Sequence, residues 1–156
     1  MRLSEVLREE AILLGKEGVN KWQAIEQLTE VLVKAGELDA SRRQAVVDAL
    51  MARERSMSTG MENGIAIPHC SVDLVDRTLV SIGIFPHGIA FDSIDGSDAQ
   101  LIFLLVTPKN RTKIHIKTLA EIAKLLNQEG FRKRLIQAGS PAEALQIIQG
   151  EEQSSV

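Results

Sequence analysis

An apolar run with no polar interruption, Leu101 to Val106, constrains the fold of this chain more than any other feature. The run does not alternate between apolar and polar residues, and it ends at Thr107-Pro108. A strand that is apolar on both faces is typical of the centre of a sheet that helices cover on both sides. The run therefore predicts a layered α/β domain with this strand at its centre.

Helical patterns lie on both sides of the strand-forming region. Asn20 and Gln23 have the spacing of a capping box and Gly36 is a typical stop signal, so a helix is expected between them. Ser140-Pro141 is a second start signal, and Gly150 is expected to end the last helix. The expected inner face of the first helix is Trp22, Ile25, Leu28, Leu32 and Ala35. The other expected elements are a helix from Ser41, a loop at 56–63, strands at 64–67 and 78–85, and a helix that starts near Asn110 or Thr112.

The composition excludes several classes of protein. The chain has 156 residues, a net charge of −3 and 3% aromatic residues, so a basic, base-stacking surface for nucleic acid is not expected. The single cysteine, Cys70, excludes an internal disulfide and fits a reducing compartment. No apolar run reaches the roughly 18–20 residues of a membrane helix, and the N-terminus lacks the apolar core of a signal peptide. We therefore expect a cytoplasmic protein with one domain over residues 1–150 and a disordered acidic tail at 151–156.

The three histidines differ in the chemistry that their positions allow. His69 directly follows Pro68 at the end of the apolar segment 64–67, so a stiff backbone presents its imidazole at the edge of the predicted sheet. His115 lies in the first turn of a predicted helix, where the helix dipole disfavours a positive charge. From the residues alone, His69 can also be a polar residue where a strand leaves the core, and His115 a buried core histidine. His87 is expected in a surface turn.

A loop rich in hydroxyl groups follows the second predicted helix. Arg53 lies in the last turn of that helix, and Ser58-Thr59-Gly60 come next. Hydroxyls, a glycine and backbone N–H groups are the usual components of a phosphate cradle. Arg53 can add positive charge there, although a cation at a helix C-terminus also stabilises the helix. The loop is not a P-loop, because no Gly-Lys-Ser/Thr follows.

These residues together point to phosphoryl transfer to nitrogen. A neutral imidazole is a good nucleophile near neutral pH, and an arginine with backbone N–H groups stabilises the oxygens of a phosphoryl group in transfer. The sequence has no nucleotide-binding motif, so the donor is expected to be another protein. The histidines lack the local spacing of a metal site, so no metal ion and no other cofactor are expected. A metal-dependent hydrolase with His69 and His115 as ligands is the weaker alternative.

Three consecutive motifs carry a resemblance to a known family. They are Arg53-Glu54, Ser58-Thr59-Gly60 and Gly64-Ile65-Ala66-Ile67-Pro68-His69. In this order they resemble the signature of enzyme IIA of the bacterial phosphoenolpyruvate-dependent phosphotransferase system, fructose/mannitol type. That family includes the nitrogen-regulatory enzyme IIA proteins. The resemblance covers nearly the whole chain and departs at Cys70, where a glycine or alanine is more usual.

The resemblance implies a fold and a set of roles. The fold would be a single-domain α/β sandwich with a mixed β-sheet flanked by helices on both faces. His69 would accept a phosphoryl group from a histidine-containing phosphocarrier protein, with Arg53 and His115 as the other catalytic residues. The resemblance also implies that Thr59 lies in the loop beside the site, and Ser58 and Gly60 of the same loop are the other expected phosphate-binding residues.

Two roles are compatible with this chemistry. In the nitrogen-regulatory branch, the phosphorylation state of His69 controls a partner such as a transporter or a kinase, because the phosphoryl group adds charge at the interface. In the alternative, a fructose- or mannitol-specific enzyme IIA passes the group to an enzyme IIB for sugar uptake. We expect the regulatory branch, no nucleic-acid partner and no direct insertion into a membrane.

Overall fold

The apolar run at 101–106 lies in the central strand of the sheet, as its pattern predicts. The structure is a computed structural model that describes residues 2–154. In the central strand every residue except Gln100 is buried, so both faces of the strand are covered. The strands of the described residues are β1 (Ile12–Leu14), β2 (Ile65–Ala66), β3 (His69–Val72), β4 (Leu79–Ile89) and β5 (Ala99–Pro108).

The pairing of β5 determines the topology of the sheet. β4 runs antiparallel to β5 on one side, while β2 and then β3 run parallel to it on the other. β1 extends the sheet beyond β4 as a parallel strand, so the sheet is mixed. Pro68 separates β2 from β3, since a proline has no N–H to continue the ladder. His69 is therefore the first residue of a strand, whereas the sequence predicts it after the end of one.

Two groups of helices cover the two faces of this sheet. In the described residues the helices are α1 (Leu3–Val6), α2 (Lys21–Lys34), α3 (Arg43–Ser56), α4 (Thr112–Leu126), α5 (Glu129–Ile136) and α6 (Pro141–Ser154). α2 and α3 pack against each other, with α2 on β4 and β5 and α3 on β3. α5 packs on β4 and β5, and α6 packs on β1. This is the α/β sandwich that the resemblance implies.

The start and stop signals of the first predicted helix are confirmed, and its predicted inner face is only partly correct. The Asn20 side chain accepts a hydrogen bond from the backbone N–H of Gln23, and the Gln23 side chain accepts one from Asn20, both at 2.9 Å. Gly36 follows the helix with a φ of 76°. Trp22 is 37% exposed, because its ring lies between the cations of Lys21 and Arg55 rather than in the core. The sequence pattern does not predict four of the labelled elements, namely α1, β1, β3 and α5.

The last helix continues past Gly150, where the sequence predicts its end. α6 runs to Ser154, and the buried Glu152 carboxylate accepts hydrogen bonds from the backbone N–H of Ser4 at 3.3 Å. This contact with α1 outweighs the cost of about 1 kcal/mol for a glycine inside a helix. The disordered tail predicted at 151–156 is therefore wrong for 151–154, and residues 155 and 156 lie outside the described residues.

Candidate functional site

His69 begins β3 with its imidazole half-buried and its orientation set by the backbone. Its Nδ1 atom lies 2.8 Å from the carbonyl oxygen of Ile67. A carbonyl can only accept, so in the neutral ring Nδ1 carries the proton and donates to Ile67. The other ring nitrogen, Nε2, then holds the lone pair. This is the nitrogen of His69 that is available as a nucleophile.

His115 lies against His69, although the two residues are far apart in the chain. The ring centroids are 5.3 Å apart and the ring planes are inclined by 49°. Burial lowers the pKa of His115 below its ordinary value, and the electrostatic effect of the neighbouring His69 ring lowers it further. Nδ1 of His115 is buried and has no hydrogen-bond partner among the described residues. The site therefore holds His115 as a neutral ring, as the sequence predicts.

Arg53 lies in the last turn of α3, the helix that packs on β3. Arg53 is partly buried as a residue, and its Nη1 atom donates an exposed hydrogen bond to the carbonyl oxygen of Met57 at 2.9 Å. This bond ties Arg53 to the first residue after the helix. The structure thus places Arg53 on the element next to His69, with its hydrogen bond directed to the loop and not to either histidine.

The hydrogen-bond donors of the predicted phosphate cradle already have acceptors within the protein. The N–H of Thr59 donates to a carboxylate oxygen of Glu54 at 2.7 Å, and the Thr59 hydroxyl donates to the other oxygen. The N–H of Gly60 donates to the hydroxyl oxygen of Ser58, which itself donates to the Phe91 carbonyl. These groups keep the loop closed. A contact of Ser58, Thr59 or Gly60 with a phosphoryl group stays a prediction, and it would require these bonds to open.

A buried ion pair lies beneath the loop, and sequence reasoning did not identify it as part of the site. Glu54 is 3% exposed, and Lys21 Nζ lies 3.7 Å from its Oε2 atom. Lys21 also contacts Asp92 at 3.3 Å, and its Nζ atom lies 5.2 Å from the centroid of the Phe91 ring. Lys21 begins one of the two helices, and Glu54 lies near the end of the other. A charged side chain is rarely buried without a partner of opposite charge, and this was the signal that the sequence offered.

The remaining histidine and the cysteine are placed outside this arrangement. His69 and Val80 both pair with Leu105, and His87 follows Val80 by seven residues along β4. At roughly 3.3 Å per residue, His87 lies about 23 Å along the strand from the level of His69. Cys70 is buried, and burial raises the pKa of its thiol to about 12. His87 is therefore remote from the pair of imidazoles, and the Cys70 thiol is buried and protonated near neutral pH.

Within residues 2–154, no group of three or more His, Cys, Asp or Glu side chains is arranged to hold a metal ion. None of the helices in the same residues is long and apolar enough to cross a membrane. What the site offers is a pair of adjacent imidazoles, one of them with a free Nε2 lone pair.

The surface beside the site is apolar. Ile67, whose carbonyl orients His69, lines a cavity of about 230 Å³ together with Met61 and Ile94. Ile94 is 79% exposed, and Ile116, the residue after His115, is 59% exposed. Both side chains are therefore accessible to a partner, although single exposed apolar residues are common on protein surfaces.

Comparison with known proteins identifies the family of this chain. The family described as "Phosphoenolpyruvate-dependent sugar phosphotransferase system, EIIA 2" matches residues 5–151. The chain is 37% identical over 151 residues to the nitrogen regulatory protein of Escherichia coli (strain K12), covering 95% of this chain and 90% of that protein. It is 34% identical over 148 residues to the fructose-specific EIIABC component of Bacillus subtilis (strain 168). That match covers 95% of this chain and 23% of the relative, so the chain spans about a quarter of that protein.

Solved structures show the same fold. The nitrogen regulatory protein IIA-Ntr of Neisseria meningitidis has a TM-score of 0.83 and 29% identity, covering 94% of this chain and 98% of that one. Enzyme IIA mannitol of Escherichia coli, solved in complex with phosphorylated enzyme IIB mannitol, has a TM-score of 0.77 and 28% identity, covering 92% and 97%. By its sequence and its fold, this chain belongs to the EIIA 2 family of the phosphoenolpyruvate-dependent sugar phosphotransferase system, a family of phosphoryl-transfer proteins.

Proposed function

We propose that this protein is a phosphohistidine carrier that accepts a phosphoryl group on Nε2 of His69 from a histidine-containing phosphocarrier protein, and that it acts in the nitrogen-regulatory branch. The single observation that carries the proposal is the hydrogen bond from Nδ1 of His69 to the Ile67 carbonyl. It leaves the Nε2 lone pair free at a half-buried position that a partner can reach.

The transfer step is a displacement at phosphorus. The Nε2 lone pair of His69 attacks the phosphorus of the carrier's phosphohistidine, and a new N–P bond forms. The N–P bond of the carrier breaks, and its electron pair returns to the carrier's imidazole nitrogen. The phosphorylated His69 ring keeps its Nδ1 proton and therefore its hydrogen bond to Ile67. No proton has to leave Nε2 before the attack, because that nitrogen carries none.

His115 and Arg53 have supporting roles in this proposal. The ring centroid of the neutral His115 lies 5.3 Å from that of His69, so His115 places no positive charge beside the nucleophile and can donate a hydrogen bond to a phosphoryl oxygen. Arg53 is tied to Met57, and its guanidinium offsets the charge of the incoming phosphoryl group after a small rotation. The exposed apolar side chains Ile94 and Ile116 provide the docking contacts for the carrier.

Two kinds of relative suggest two acceptors for the phosphoryl group. Relatives that this chain matches over 90% or more of their length include several nitrogen regulatory proteins, which favours the regulatory branch. A relative named a fructose-specific EIIA component is also matched over 88% of its length and favours the alternative. A relative named a fructose-specific EIIABC component, and a mannitol enzyme IIA solved with its phosphorylated enzyme IIB, favour the alternative of transfer to a sugar-specific IIB. The chemistry at His69 is the same in both.

The test of the first step is a labelling experiment. The protein is incubated with enzyme I, the phosphocarrier protein and ³²P-labelled phosphoenolpyruvate, and the label is tested for acid lability and alkali stability. We expect stoichiometric label on the wild type, label on the matched control His87→Ala, and none on His69→Ala. Label on His69→Ala at the wild-type level would overturn the assignment.

The branch is tested by adding purified fructose- and mannitol-type enzyme IIB domains to the labelled protein. The regulatory role predicts that the label stays on His69 over the time in which a sugar-specific enzyme IIA control loses its label. Rapid transfer to a IIB domain would assign the protein to sugar uptake instead.

A further inference from the structure

Four successive contacts connect a buried ion pair to the proposed nucleophile, His69. Lys21 Nζ lies 3.7 Å from Glu54 Oε2, and the same oxygen accepts the N–H of Thr59 at 2.7 Å. The Thr59 carbonyl accepts the N–H of Ile67 at 3.2 Å, and the Ile67 carbonyl accepts Nδ1–H of His69 at 2.8 Å. We propose that Glu54 is a positioning residue that, through Thr59 and Ile67, sets the tautomer of His69 and so the nitrogen that takes the phosphoryl group. This inference rests on the proposed function of His69.

The first link is strong because Glu54 has both carboxylate oxygens engaged. Its side chain is almost completely buried, and it receives two hydrogen bonds from Thr59, one from the N–H and one from the hydroxyl. A buried carboxylate without partners is costly, and Lys21 supplies the compensating charge. Since hydrogen bonds to an ionised group are stronger than neutral ones, Thr59 is held tightly against α3.

The second link is a short antiparallel pairing between the loop and β2. Besides the bond from Ile67 to Thr59, Gly60 forms an antiparallel bridge with Ala66, and the N–H of Met61 donates to Ile65 at 2.7 Å. The loop therefore holds the segment that ends at Ile67 as a strand partner would. Because Glu54 anchors the first residue of this pairing, a change at Glu54 is transmitted to the position of the Ile67 carbonyl.

The third link determines which ring nitrogen of His69 carries the proton. Only Pro68, with a fixed φ, separates Ile67 from His69, so the Ile67 carbonyl and the His69 ring cannot adjust independently. If the carbonyl moves away, Nδ1 loses its acceptor and the proton can shift to Nε2. A ring protonated on Nε2 has no lone pair there and cannot attack through that nitrogen.

If the Lys21–Glu54 pair had only a structural role, its removal would lower the free energy of unfolding and leave the tautomer of His69 unchanged. The chain offers a matched control, since Arg43 Nε and Glu30 Oε2 form another ion pair at 2.6 Å between the same two helices. Glu30 has no contact with the loop among the described residues. A comparison of Glu54→Gln with Glu30→Gln therefore separates an effect on His69 from an effect on the packing of α2 against α3.

The experiment measures the tautomer of His69 and the rate of phosphoryl acceptance. Long-range ¹H–¹⁵N spectra of the unphosphorylated protein report which ring nitrogen carries the proton. For Glu54→Gln we expect a substantial Nε2–H population and a fall in the rate of about tenfold to a hundredfold, the size that follows from a misplacement of about 1 Å. The Glu30→Gln variant should keep the wild-type tautomer and rate.

A second pair of variants keeps the test decisive if Glu54→Gln does not fold. Thr59→Val removes one bond to Glu54 and should shift the tautomer in the same direction, and Thr59→Ser should restore the wild-type spectrum. A lower midpoint of thermal unfolding with an unchanged tautomer in Glu54→Gln and Thr59→Val would overturn the inference. The tautomer is observed without any phosphoryl donor, so this result stands apart from a failure of His69 to accept label.

Discussion

The imidazole of His69 is held by the backbone of Ile67, two residues earlier in the chain, through a bond of 2.8 Å from Nδ1 to the carbonyl oxygen. The two residues flank Pro68, so the bond closes a short and stiff segment. It determines which nitrogen of the ring is free. The chemistry of the site therefore depends on the main chain as much as on the side chains around it.

This bond predicts the position of the phosphoryl group. Because Nδ1 carries the proton, the group should be attached at Nε2. ¹⁵N and ³¹P NMR of the phosphorylated protein distinguishes the two isomers through the coupling of phosphorus to one ring nitrogen. His115→Gln should give the same isomer at a lower rate. A phosphoryl group on Nδ1 would contradict the prediction.

The lowered pKa of His115 predicts a stability that depends on pH. The native state resists protonation of this ring because it is partly buried beside His69, whereas the unfolded chain takes the proton near the ordinary pKa of histidine, 6.5. The contribution of the neutral His115 ring to the free energy of unfolding is present above about pH 6.5 and is lost as the pH falls below that value. Urea unfolding across this range should show a smaller loss of stability for His115→Gln than for the wild type. An equal loss in both proteins would count against the prediction.

Gly60→Ala should open the loop. An ideal Cβ at this position would lie 2.7 Å from the Phe91 carbonyl oxygen and 2.7 Å from the Ser93 hydroxyl, and one of these contacts is with backbone, which cannot rotate away. We expect a loss of about 1–3 kcal/mol in the free energy of unfolding, typical of overpacking, together with slower phosphoryl acceptance. Gly150→Ala, where a Cβ meets open space, is the control and should leave both quantities unchanged or raise stability.

Cys70 should be unreactive in the folded protein. Its thiol is buried and its pKa is raised to about 12, so almost no thiolate is present near neutral pH. Iodoacetamide is expected to label the protein at least tenfold more slowly in buffer than in denaturant. Rapid labelling of the native protein would instead support a redox role for the thiol beside His69.

The contact between Glu152 and Ser4 predicts that the last turn of α6 contributes to stability. Glu152→Ala removes the acceptor of a backbone N–H in α1 and should cost about 1–2 kcal/mol. Gln153→Ala, at an exposed neighbouring position, should cost little. Chemical denaturation of both variants checks this, and equal stability of Glu152→Ala and the wild type would show that the contact contributes nothing.

Local signals in the sequence were reliable where local physics decides the structure. The capping box of Asn20 and the start signal at Ser140 are confirmed, since each depends on residues three positions apart. The stop signal at Gly150 is wrong, because the contact of Glu152 with Ser4 joins residues 148 positions apart. Trp22 has helical spacing with the core, but its neighbours in space are cations that periodicity does not show.

The sequence by itself determined the central position of the 101–106 strand and the presentation of His69 beside Pro68, because hydrophobic pattern and proline stereochemistry act within a few residues. Only the tertiary structure decided that His115 lies against His69, because β3 pairs with β5 and α4 follows β5 back to the start of β3. It also decided that Thr59 is bound to Glu54 and Ile67, which depends on the packing of α3 and β2 around one loop. Contacts of this kind connect distant segments, and their free energy is realised only when the sheet has formed.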